Sequence, residues 1–262
     1  VRESQQETPA EDAMNEHFAI DAWARSDTGR VRPANEDAFH VDLGAGYAAV
    51  ADGMGGAAAG EVASRIFLEA AEESFRNCPQ RSEAQILARV EAAFRLADRA
   101  IFDHTQRIPE HRGMGCTAEL IAFWDRGYVL GHIGDSRAYR LRGGALKQLT
   151  RDHSLVQQQL EAGLITADGA RTHPLKHVIL QAVGLGDPIE LDLIRGPVAP
   201  GDQFLLCTDG LTNLVENDVI EAVLRSPASL EEKADRLIER ALENGGHDNV
   251  TVVILALRPF AP

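Results

Sequence analysis

The sequence predicts an α+β sandwich of mainly antiparallel sheets with helices packed on the outside. Two observations carry this reading. Short apolar runs of β type come in groups separated by Gly and Pro, and helical patterns come in pairs. A doubly wound parallel sheet would instead need strand and helix to alternate one by one, and the order of segments does not do so.

In chain order, Phe18–Arg25, Asp37–Leu43 and Tyr47–Ala51 read as strands. Two helices follow, because Ala63, Ile66, Phe67, Ala70, Ala71, Ser74 and Phe75 share one face at 3.6-residue spacing. Ile86, Val90, Ala93, Phe94, Ala97 and Ile101 do the same. Strands resume at Thr117–Trp124, Tyr128–Ile133 and Ser136–Leu141, the last two linked through Gly134 and Asp135. Gly143–Gly144 reads as a hairpin turn. A long polar stretch, Ser154–Arg195, holds a short helix near Leu155–Ala162. Gln203–Cys207 is a strand, Asn217–Leu224 and Leu230–Glu243 are helices, and Asn249–Leu257 is a closing strand. Residues Val1–Glu16 lack the apolar core of a signal peptide and read as a mobile polar tail ahead of one domain, 17–262.

Composition narrows the function. The chain has 262 residues, 44% hydrophobic and 25% charged, so it holds enough apolar material for a sizeable core. A net charge of −14 disfavours nucleic acid and anionic membrane as partners, since both attract basic surfaces. A phosphorylated substrate stays open, because bound cations can invert the sign of a site. The three cysteines, Cys78, Cys116 and Cys207, build neither a disulfide framework nor a CxxC metal pair, and Cys116 and Cys207 read as core. No apolar run reaches the ~20 residues that span a bilayer. A soluble, cytoplasmic protein is the expectation.

The chemistry is concentrated in acidic turns. Asp52, Asp209 and Asp248 each stand at the end of an apolar strand and beside a Gly or Asn turn. Asp135 closes Gly131–Gly134. One such aspartate is ordinary turn chemistry. Four in one chain, if their strands converge, crowd their charges: two carboxylates about 4 Å apart repel by about 4 kcal/mol at an effective dielectric of about 20. Such a cluster needs protons or hard divalent cations such as Mg²⁺ or Mn²⁺. Paired ions would acidify a water and clamp a phosphate ester. Arg32, just ahead of Glu36 and Asp37, offers the bidentate fork that phosphate oxygens match.

The runs Arg32–Asp37, Ala51–Gly56, Gly113–Thr117, Gly134–Arg137, Asp152–Ser154, Leu205–Leu211 and Gly246–Thr251, in this order, resemble the type 2C metal-dependent serine/threonine protein phosphatases, in their compact bacterial form. The resemblance implies a four-layer α-β-β-α sandwich that dephosphorylates phosphoserine and phosphothreonine in proteins. It implies two core Mn²⁺ or Mg²⁺ ions, with a third more loosely held. Asp52 would bridge both core ions, with the Gly53 carbonyl on one of them and Asp209 and Asp248 on the other. Asp135 and Asp209 would serve the looser site. Glu36 would act through water on the metals, supported by Asp37, and Arg32 would hold the substrate phosphate. Residues 154–195 would correspond to a flap beside the site. A serine/threonine kinase and its targets would be the partners of a monomeric enzyme.

Two departures qualify the transfer. Met54 stands where many animal members carry a histidine proposed as general acid, which leaves metal-bound water as the default proton donor and His153 and His173 as structural or solvated. Cys116 replaces a threonine, and Glu119 puts a charge into an apolar strand, where a solvent-facing or hydrogen-bonded position is expected. Two rival readings have specific signals against them. Gly53–Ala58 matches a dinucleotide-binding glycine pattern, but Asp52 would face the pyrophosphate and no parallel strand with a terminal acid follows. A catalytically weak binding module would be expected to lose core ligands, and Asp52, Asp209 and Asp248 are all present.

Overall fold

The computed structural model describes residues 18–55, 59–76, 82–185 and 189–259. The tail Val1–Glu16, Cys78, and the end of the glycine run at 56–58 lie outside the described residues. The chain begins with strands β1 (Phe18–Asp27), β2 (Asp37–Asp42) and β3 (Tyr47–Met54), then helices α1 (Gly60–Phe75) and α2 (Glu83–Arg107). Strands β4 (Gly115–Trp124), β5 (Gly127–Ile133), β6 (Arg137–Arg142) and β7 (Ala145–Gln148) follow. Short helices α3 (Leu155–Glu161) and α4 (Ala167–Arg171) lead to β8 (Asp192–Pro197) and β9 (Gln203–Cys207). Helices α5 (Asp209–Thr212), α6 (Asn217–Arg225) and α7 (Leu230–Glu243) precede β10 (Val250–Pro259).

The strands form two five-stranded sheets, ordered β1-β10-β9-β6-β7 and β2-β3-β4-β5-β8, and every pairing is antiparallel. Between the sheets lies a buried layer from both, including Val50, Ile121, Leu130, Phe204, Leu206 and Val253. Phe204 meets Phe123 and Tyr128 edge to face across it, with ring centroids 5.4 and 5.0 Å apart. The apolar stripes of α1 and α2 cover the outer face of β3 and β4, through Phe67, Phe94 and Ile101. Those of α6 and α7 cover β9 and β10, through Ile220, Leu237 and Ile238. Four layers result. Strands β3, β4 and β5 are buried on both sides because each has a sheet on one face and helices on the other. Capping boxes start two of the covering helices, Ser82 with Gln85 on α2 and Ser229 with Glu232 on α7.

The structure departs from the sequence reading in the second half of the chain. β5 and β6 are consecutive yet belong to different sheets, so Gly134–Asp135 is a corner between layers. Gly134 sits there at φ +111, and a Cβ would lie 2.5 Å from that of Thr117. The polar stretch ends in strand β8, which begins at Asp192. Its sequence, DLIRGP, lacks clean alternation because it is a half-exposed edge strand. Bridges from Cys116 to Val183 and from Ser154 to Ile179 fold the intervening segment back over the end of β4. Asp209 opens a single helical turn, α5, where a plain turn was expected.

Candidate metal centre

The strands bring the acidic turns to one rim of the sandwich. Asp37, first in β2, is the register partner of Asp52 near the end of β3. Asp52 in turn pairs with Thr117 on β4, whose hydroxyl accepts from the Asp52 N–H at 3.3 Å and meets the Ser136 hydroxyl at 2.6 Å beside Asp135. Asp209 follows β9, and Asp248 precedes β10, the neighbour of β9. Asn249 ties the β1–β2 loop to this rim: its amide donates to the Thr28 and Ala34 carbonyls, and its Oδ1 accepts from the Glu36 N–H at 2.8 Å.

Electrostatics shows what this crowding costs. Loss of water raises the Asp37 carboxyl to about 7, against hydrogen bonds from Thr251 and Thr208 and with repulsion from Asp209 and Asp248. Desolvation, then Asp248, raises Asp209 to about 6. Asp52 is pushed well above the ordinary carboxylate range by desolvation and by Asp37, Asp209, Asp135 and Asp248. Asp135 is raised likewise, by desolvation and then Asp209 and Asp152.

Hydrogen bonding leaves this cluster incomplete. The Asp37 Oδ2 accepts from the Thr208 and Thr251 hydroxyls at 2.8 and 2.7 Å, yet its Oδ1 is buried without a partner. Asp209 Oδ2 accepts from the Asn213 amide at 2.9 Å, and its Oδ1 is also unpartnered. Asp135 Oδ1 is a third such atom. A buried acceptor without a donor is costly, so three at one rim call for a ligand that acts as an electron-pair acceptor. Divalent cations with oxygen ligands meet that need.

Glycine and arginine complete the rim. A Cβ on Gly53 would lie 2.1 Å from the Gly60 carbonyl oxygen and 2.6 Å from that of Glu36, so only glycine fits this backbone approach. The Glu36 side chain lies over Gly60, where a Cβ would stand 2.8 Å from its Cδ and Oε1. Arg32 donates from Nη2 to Asp248 Oδ2 at 2.7 Å and is about half exposed. That bond, with Asp52 and Glu36 nearby, raises its pKa further.

Some neighbours escaped the sequence reading. Thr117, Ser136, Thr208, Thr251 and Asn249 hold the carboxylates and loops, and only their places inside the acidic motifs could have signalled it. Arg137 clamps Asp152 with Nε and Nη2, at 2.9 and 2.7 Å. Glu119 is fully buried and hydrogen-bonded rather than solvent-facing: its Oε1 lies 2.5 Å from His132 Nδ1. His153 is buried, as a structural histidine would be. His132, His153 and Asp192 gather closely enough to suggest a second metal site. However, both His132 nitrogens are engaged, by Glu119 and by the Arg151 carbonyl at 2.8 Å, so the group lacks a free lone pair there.

Comparison with known proteins agrees with this geometry. The family model for Protein phosphatase 2C matches residues 30–249. The serine/threonine protein phosphatase PstP of Mycobacterium tuberculosis is 42% identical over 231 residues, 88% of this chain but 44% of PstP. The chain thus spans less than half of that relative's length. The serine/threonine phosphatase stp of Listeria monocytogenes is 35% identical over 235 residues, 88% of this chain and 93% of its own. Among solved structures, M. tuberculosis PstP superimposes with a TM-score of 0.86 at 40% identity, covering 91% of this chain and 99% of that one. The catalytic domain of PstP in complex with two manganese ions gives 0.84 at 39% identity, with 92% and 99% covered.

Proposed function

Because the chain belongs to the protein phosphatase 2C family, we propose that it hydrolyses phosphoserine and phosphothreonine in proteins at a dinuclear Mn²⁺ or Mg²⁺ centre. The observation that carries this is the set of partnerless carboxylate oxygens on Asp37, Asp135 and Asp209 around Asp52. When bound, divalent cations supply charge neutralisation, an acidified water and electrophilic contacts to phosphate oxygens. Asp52, the Gly53 carbonyl, Asp209 and Asp248 would hold the two core ions, and Asp135 with Asp209 a looser third.

The remaining roles belong to side chains. Arg32 holds the substrate phosphate; its guanidinium is poised on Asp248, half exposed, with donors left for phosphate oxygens. The Asp37 carboxylate is oriented by two threonine hydroxyls, and it supports Glu36, which would act through water held by the cations. His153 cannot supply the proton to the departing alkoxide, because its ring is buried between Gly134 and Asp192. A water acidified by the bound cations would do so.

The finer reading rests on the likeness and the sequence: phosphorylated proteins as substrates, a serine/threonine kinase as counterpart in signalling, a monomer, and a cytoplasmic setting. No helix among the described residues is long and apolar enough to cross a membrane. Residues 154–185, bridged to the end of β4 at Cys116 and lining a cleft with Asp135, form the flap that meets the substrate protein. The test is hydrolysis of a phosphothreonine peptide with Mn²⁺. Asp52→Ala should lower kcat by at least about a hundredfold in a folded protein. Near-normal turnover of that variant would remove the assignment.

A further inference from the structure

One group of residues, buried except for half-exposed Asp192 at its edge, lies outside the roles above, in a row across the sheet. Glu119 on β4, His132 on β5 and Asp192 on β8 are register partners side by side, and Glu119 and His132 are wholly excluded from solvent. The partners fix the protons. The Arg151 carbonyl can only accept, so His132 Nε2 carries a proton. One further proton is shared between His132 Nδ1 and Glu119 Oε1, 2.5 Å apart. Glu119 Oε2 has no other partner, so this carboxyl answers to His132 alone. In His153 the Gly134 N–H donates to Nδ1 at 3.2 Å, which leaves the ring proton on Nε2, aimed at Asp192 Oδ2 at 3.3 Å. The two imidazoles pack with centroids 4.6 Å apart.

These bonds converge on three consecutive residues. Arg151 is held through its carbonyl by His132, and Asp152 through its carboxylate by Arg137. His153 is held twice by Gly134, through the ring and through its own N–H to the Gly134 carbonyl at 2.7 Å. Leu180, from within the 154–191 segment, donates to the His153 carbonyl at 2.7 Å. Asp192 closes the other end of that segment. Gly134 is the residue before Asp135, in a left-handed conformation at φ +111.

We propose that Glu119, His132 and His153 are positioning residues: a buried hydrogen-bonded clamp that locks both ends of the 154–191 segment onto the Gly134–Asp135 corner and so fixes Asp135 beside Asp209. The clamp explains why a fully buried carboxyl stands in β4. A buried ion or proton-sharing pair gains little stability over apolar packing, but it fixes geometry at the groups it bonds. The functional consequence rests on the reading of Asp135 as ligand of the looser site.

The test is backbone hydrogen exchange in the metal-free protein, comparing wild type with His153→Phe and His153→Asn. Phenylalanine keeps the ring against His132 but offers no acceptor to Gly134; asparagine can place an acceptor where Nδ1 stands. His153→Phe should speed exchange at Gly134 and across residues 151–156 by about tenfold or more, with β3 and β10 unchanged, and His153→Asn should restore much of the protection. Unchanged exchange in His153→Phe, or an equal rise throughout the molecule, would overturn the clamp. Imidazole ¹⁵N spectra of the wild-type protein test it without any variant. They should show the Nε2–H tautomer for His153, and an Nδ1–H tautomer would overturn it. Both measurements use no metal and no substrate, so their results stand whether or not Asp135 binds an ion.

Discussion

Arg32 is bound to Asp248 rather than waiting free in the cleft. This sharpens what its removal should do. If the fork anchors phosphate equally in the ground and transition states, Arg32→Ala raises KM strongly while kcat falls less. Arg32→Lys restores charge without fork geometry and recovers only part of the loss. Steady-state kinetics on a phosphothreonine peptide check this, and an unchanged KM for Arg32→Ala would assign phosphate anchoring elsewhere. At this scale the sequence was legible wherever a motif paired a chemical residue with a turn: Asp52, Asp209, Asp248 and Asp135 all reach the rim. Glu119 was not legible, because its partner His132 is thirteen positions away and only strand register brings the two together.

Among the elements, the corner between β5 and β6 matters most for chemistry. It carries the chain from one sheet to the other and turns Asp135 inward on a glycine that tolerates no side chain. Asp135 belongs to this corner and not to the β2–β3 pair that carries Asp37 and Asp52. Asp135→Ala should therefore keep two tightly bound ions by calorimetry while turnover drops; loss of all metal binding would show that Asp135 belongs to the core pair. Helices α1, α2, α6 and α7 were readable from their apolar stripes, which face a sheet along their whole length. Strands β7 and β8 were not, for both are short edge strands with one side open to solvent.

For the molecule as a whole, the acidic rim is stability given up for function. Asp37 and Asp209 are raised from an ordinary 3.8 to about 7 and about 6, so the folded, metal-free protein holds protons that the unfolded chain releases. Their contribution is fully present below about pH 3.8 and is lost as pH rises through 6 and 7. Metal-free stability should thus fall with rising pH across this window, by at most about 1.4 kcal/mol per pH unit for each group. Asp37→Asn should flatten the slope, and Mn²⁺ should oppose it by binding the ionised cluster. Denaturant melts between pH 5 and 8 check this; an identical slope in Asp37→Asn would mean that Asp37 is already ionised. The sandwich itself was legible because grouped strands and paired helices admit few layer arrangements. Which strands share a sheet was not, since β1 pairs with β10 from the opposite end of the chain.

The most direct measurement of the central claim, that the acidic rim works only with divalent cations, is phosphothreonine-peptide hydrolysis after exhaustive removal of metal with EDTA, followed by Mn²⁺ titration. The account predicts no turnover in the stripped protein and recovery as Mn²⁺ fills the carboxylate cluster. Full activity in metal-free buffer would contradict it.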